Sequence, residues 1–132
     1  MATHNPYQTY QQNSVTTASP GELTMMLYNG CLKFIGKATT AIETNNISER
    51  NNNIQKAQNI IRELMVTLNM DMEVSKNMIV LYEYVLDRLT HANIKNEVQA
   101  LKDAEVLVTE FRDTWKQVIQ LNRQKQYQGG SV

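Results

Sequence analysis

Apolar positions recur at helical spacing in four segments of the chain, and in the first they cover most of the helix circumference. That segment is SPGELTMMLYNGCLKFIGKATTAIE, residues 19–43. Ser19 is suited to cap it, Pro20 to its first turn, and Glu22 stands three residues on, as in a capping box. On a wheel of ~100° per residue, Met26, Gly30, Leu23, Phe34, Leu27, Ala38 and Cys31 make one face. Ile42, Ile35, Tyr28, Leu32 and Met25 continue around the other side, leaving Asn29, Lys33, Gly36 and Thr40 as a narrow polar seam. A helix docking on one core needs an apolar stripe of only ~100°. This one must be buried on two sides, either as the central helix of its own fold or with one side awaiting a partner.

Three further helices follow from the same period. Ser48 is the expected cap of the second, which carries Ile54, Ala57, Ile60, Ile61, Leu64, Met65 and Leu68 and ends near Met70. After a break at residues 71–75, Met78, Leu81, Tyr82, Val85, Leu89 and Ala92 share one face of the third, with Val80 and Tyr84 well away from it. The fourth, after residues 93–96, presents Leu101, Ala104, Val108, Phe111, Trp115, Val118 and Ile119. The two prolines, Pro6 and Pro20, interrupt none of these helices. Short connectors favour antiparallel neighbours, so the expected fold is all-α, an up-down four-helix bundle without strands. Residues 1–18 are expected to form a flexible arm, 19–122 the bundle, and 123–132 a frayed tail.

Composition removes several function classes. The 132 residues carry 13 basic and 13 acidic side chains, for a net charge of zero. That argues against a nucleic-acid or anionic-membrane footprint. No apolar run nears the ~18 residues of a membrane span, and MATHNPYQTY lacks the regions of a signal peptide. A lone Cys31 fits a reducing compartment, and the expected location is the cytosol. Catalysis finds little support. His91 has Arg88 three residues before it rather than a glutamate, no Gly-rich phosphate loop exists, and Cys31 sits on an apolar face without a neighbouring histidine. No cofactor, metal or catalytic residue is expected.

Within a helical binding module, the run NPYQTYQQNSVTTASPGELTMMLYNGCLKFI (residues 5–35) resembles the N-terminal signature of the flagellar secretion chaperones, the FliS family. KAQNIIRELMVTLN (56–69), LYEYVLDRLTHANIKN (81–96) and FRDTWKQVI (111–119) extend the resemblance in order along nearly the whole chain. It implies a cytosolic export chaperone that holds the C-terminal segment of flagellin in hydrophobic grooves, blocks premature polymerisation and delivers the subunit to the export gate. The surplus apolar face of the first helix would supply one groove wall with Met25, Tyr28, Leu32 and Ile35, bordered by Tyr82 and Tyr84. Tyr7, Tyr10 and Val15 of the arm would mask the empty groove or dock on the gate, an unstructured terminus being the plainer alternative. A generic helical adaptor for another amphipathic segment is the rival class, and dimerisation of the empty protein is left open.

Overall fold

The computed structural model describes residues 19–130, the side chains of 125–130 excepted. Tyr7, Tyr10 and Val15 lie outside the described residues. Four helices follow one another: α1 Pro20–Glu43, α2 Ile47–Val66, α3 Glu73–Lys95 and α4 Val98–Gly130. Each packs against two others, α1 on α2 and α4, and α3 on α2 and α4, which closes a four-membered ring. This is the expected all-α bundle, with no strand among the described residues.

Local chemistry sets the helix ends. Ser19 Oγ accepts from the Glu22 amide at 3.2 Å, and Pro20 occupies the first turn, as the sequence indicates. The α1–α2 reversal uses three residues. Asn45 takes a left-handed φ of 57°, its amide donates to Ile42 O, and the Asn46 amide donates to Ala41 O at 2.8 Å. This pair of bonds is a Schellman closure, and asparagine tolerates the conformation better than most residues. Asn46 then caps α2, its Oδ1 accepting from the Glu49 amide at 3.1 Å, so the cap is Asn46 and not Ser48. The second helix stops at Val66 rather than near Met70. The fourth helix runs on through Gly130, past the boundary expected at Asn122. Apolar periodicity stops near Asn122, whereas the Arg, Gln and Lys residues beyond it keep good helix propensity.

Packing explains why α1 is apolar nearly all round. Toward α2 it presents Leu27, Cys31, Phe34 and Ala38, with Cys31 Sγ directed at Ala57 O at 3.8 Å and Lys56 Nζ lying 5.4 Å from the Phe34 ring centroid. Toward α4 it turns the row Gly21, Met25, Tyr28, Leu32, Ile35, spaced alternately four and three residues apart. At the start of that row, Trp115 Nε1 donates to Gly21 O at 2.9 Å. In its middle, the Tyr28 and Phe111 rings lie 6.0 Å apart. The second apolar face of α1 is thus covered by the fourth helix of the same chain.

The centre of the bundle is aromatic and polar at once. Tyr28 of α1 and Tyr82 of α3, on opposite corners of the ring, share a buried hydrogen bond of 2.7 Å between their hydroxyls. Phe111 of α4 packs edge-on against Tyr82 with centroids 5.3 Å apart. Pairing the two hydroxyls avoids the desolvation cost that either would carry alone. At the far end, Arg50 Nε donates to Asn93 Oδ1 at 3.0 Å and its Nη1 to Asn96 Oδ1 at 2.8 Å, tying the start of α2 to the end of α3.

Leu27 is 3% exposed, whereas Leu32 is only partly buried against the same core. Leu27→Ala should therefore cost about 2–5 kcal/mol of unfolding free energy and Leu32→Ala clearly less, as read by urea titration. Equal losses would mean that α1 is buried uniformly. Alkaline pH gives a second test. Burial pushes the Cys31 thiol from 9.0 up to about 12, and it raises both Tyr28 and Tyr82 above 10.0. For Tyr82 the shared hydrogen bond and the charge of an ionised Tyr28 add to the rise. Folded values above unfolded ones mean that this stability is complete below pH 9 and is lost as pH climbs toward the folded values. Unfolding free energy should be level from pH 7 to 9, then fall by up to about 1.4 kcal/mol per pH unit for each group ionised only in the unfolded chain. Tyr28→Phe with Tyr82→Phe should flatten the fall above pH 10; an unchanged slope would contradict the assignment.

Candidate functional site

The side chains expected to line a groove separate into three places. Tyr28, Ile35 and Tyr82 are 4%, 0% and 2% exposed and belong to the central core. This corrects the expectation that they form an open wall, because α4 covers the row on α1 and the hydroxyl pair draws both tyrosines inward. Met25 and Leu32 are half-buried at the outer margin between α1 and α4. Tyr84, on the outer face of α3, is 47% exposed. Trp115, expected in the core, is half-buried and spends its indole N–H on α1.

Tyr84 does not stand alone. Val74, Val80 and Leu81 of α3 are also exposed, as are Met70 and Met72 in the connector that precedes it. The register with α4 is set by Arg88 Nη1, 3.5 Å from Asp103 Oδ2. Because the helices are antiparallel, one turn along from this pair brings Tyr84 level with Val106 and Leu107, and Val106 is again exposed. Leu81 follows one turn further on α3, at its margin with α4. Apolar side chains thus run along the outside of α3 and its margin with α4, from Arg88 down to Met72. Residues three and four apart on a helix lie on one side, so Val80, Leu81 and Tyr84 offer anchors at the spacing an incoming amphipathic helix presents. Methionines at its end can repack around different side chains.

Two features of this surface were visible in the sequence and two were not. Val80 and Tyr84 fall off the α3 stripe on a wheel. Val106 equally falls off the α4 stripe, and the same wheel could have singled it out. Leu81 shares the core face of α3 on the wheel; only its place at the α3–α4 margin, where it stays 37% exposed, makes it part of the surface. The alignment of Val106 with Tyr84 depends on helix register, which no local pattern encodes. Ile47, Val66, Ile94 and Leu121 are also exposed, outside the stretch from Met72 to Arg88. Among the described residues there is no group of His, Cys, Asp or Glu that could hold a metal ion. None of the described helices is long and apolar enough to cross a membrane.

Comparison with known proteins follows the same lines. The family described as "Flagellar protein FliS" matches residues 3–122. The flagellar secretion chaperone FliS of Bacillus subtilis (strain 168) is 54% identical over 132 residues, which is 100% of this chain and 99% of that one. The flagellar secretion chaperone FliS of Escherichia coli (strain K12) is 34% identical over 109 residues, 80% of each chain. A bacterial flagellar chaperone of known crystal structure superposes with a TM-score of 0.72 over 87% of this chain and 95% of its own, at 20% identity, and so shares the fold. These relatives are chaperones, not enzymes, in keeping with the lack of catalytic groupings in the sequence. With a match over nearly its full length, the chain belongs to the FliS family of flagellar proteins.

Proposed function

We propose that this protein is a cytosolic export chaperone for flagellin, which binds the subunit's C-terminal segment, prevents its premature polymerisation and delivers it to the flagellar export gate. The observation that carries the reading is the apolar run on the outside of α3, with Val80, Leu81 and Tyr84 exposed on a bundle that is otherwise fully packed inside. A segment without fixed structure, able to form an amphipathic helix, gains by laying its apolar face on such a surface and ordering there. Met25 and Leu32 form a second contact margin beside α4. Tyr28, Ile35 and Tyr82 act from beneath, holding α1, α3 and α4 in the register that creates these surfaces. Tyr7, Tyr10 and Val15 are assigned to groove masking before cargo arrives or to docking on the gate. The rival reading, a helical adaptor for another amphipathic segment, uses the same surface and differs only in its ligand.

Titration with monomeric flagellin, followed by calorimetry and circular dichroism, tests the proposal. A one-to-one complex should form, lose detectable affinity when flagellin's C-terminal helix-forming segment is removed, and show more helix than the two components summed. Tyr84→Ala should weaken it by about tenfold, or ~1.4 kcal/mol, with an unchanged thermal transition. Binding that survives the truncation would favour the adaptor.

A further inference from the structure

The sulfur of this chain lies in seven methionines and one cysteine, and their surroundings divide them. Cys31 is 0% exposed, and burial pushes its thiol up to about 12, so no thiolate forms at neutral pH for an oxidant to attack. Met25, Met26, Met65 and Met78 are half-buried, Met65 and Met78 being packed against the core. Met1 lies outside the described residues. Met70 and Met72 differ from all of these. They are 46% and 53% exposed and stand together in the α2–α3 connector. A tight turn fixes that connector: Asn69 Oδ1 accepts from the Asp71 amide and Asn69 O from the Met72 amide, both at 3.1 Å. The two thioethers are thereby held at the end of the bundle where the apolar run of α3 begins. Met72 is also the residue that opens α3, and no side chain caps that end.

We propose that Met70 and Met72 form a reversible oxidation site, where conversion to methionine sulfoxide by hydrogen peroxide switches off recognition at the α3 surface. Each thioether sulfur gives an electron pair to one peroxide oxygen. The O–O bond breaks and an S–O bond forms, while the departing hydroxide takes the proton of the transferred hydroxyl and leaves as water. Sulfur loses two electrons and the peroxide gains them. A dithiol-dependent sulfoxide reductase returns the thioether, its two thiols becoming a disulfide and the oxygen leaving as water. The product is polar where the surface was apolar. A sulfoxide oxygen laid against the apolar face of an incoming helix must shed water without finding a donor there, which opposes binding. At Met72 the oxygen has a better place, because the first turn of α3 lacks a side-chain acceptor for its amides. Turning toward them draws the side chain away from the apolar run. Cys31 and the half-buried methionines are sheltered from the same oxidant, so the bundle beneath stays folded. The inference rests on the reading of α3 as the flagellin-binding surface.

The test treats the protein with graded doses of hydrogen peroxide, quenches it, maps the added oxygen by peptide mass spectrometry and titrates with untreated monomeric flagellin. Met70 and Met72 should gain oxygen severalfold faster than Met25, Met26, Met65 and Met78. The doubly oxidised protein should keep its thermal transition and bind flagellin about tenfold more weakly, and methionine sulfoxide reductase should restore the affinity. Met70→Leu combined with Met72→Leu keeps apolar side chains without sulfur, and its affinity should be the same before and after peroxide. Oxidation spread evenly over the methionines, or full affinity in the doubly oxidised wild type, would overturn the switch while leaving the chaperone reading intact. An equal loss of affinity in the treated leucine variant would overturn it too, because another group would then carry the effect. No binding of flagellin by the untreated wild-type protein would overturn both.

Discussion

The two-sided burial of α1 is the constraint on which the rest of the molecule depends. A helix with apolar groups around most of its surface cannot end a structure, because one docking partner would leave a broad apolar face in water. Here α2 covers Leu27, Cys31 and Phe34, while α4 covers the row from Gly21 to Ile35. Once both neighbours are in place, α3 closes the ring among the described residues. The Tyr28–Tyr82 hydroxyl bond then spans the diagonal. Such a bond depends on the register of α1, α3 and α4, since Phe111 of α4 packs against both rings.

The packing also decides where apolar surface is left unspent. The surplus of α1 is used internally, whereas α3 keeps apolar side chains in solvent. That helix has a narrower buried stripe of Ser75, Tyr82, Val85, Leu89 and Ala92 and keeps Val74, Val80, Leu81 and Tyr84 near or in solvent. Scattered exposed apolar side chains are ordinary on a soluble protein. A series at spacings that one helix can read, ending in two exposed methionines, is less so. The rigid core beneath α3 also matters, because a surface that need not reorganise loses less free energy on binding.

The four helices and their order were legible because each holds a 3.6-residue period, and because Pro6 and Pro20 break none of them. The caps were legible in part. Ser19 and Glu22 announce α1 plainly, whereas Asn46 is recognisable as the α2 cap only once Asn45 is known to turn left-handed. The exposure of Tyr84, which falls off its helix stripe, was legible, whereas the burial of Tyr28 and Ile35 was not. A wheel counts apolar positions but cannot tell a face covered by the chain's own distant helix from one awaiting a partner. The contact between Trp115 and Gly21, 94 residues apart in sequence, decides that question, and no local pattern contains it.

Oxidative footprinting of side chains, with and without saturating monomeric flagellin, addresses the central claim most directly, because tyrosines and methionines report both the core and the α3 surface. Tyr84, Met70 and Met72 should react readily in the free protein and become protected in the complex. Tyr28 and Tyr82 should be protected in both states. A complex in which Tyr84 stays reactive, or in which Tyr28 and Tyr82 become exposed as flagellin binds, would contradict recognition on the outside of an intact bundle.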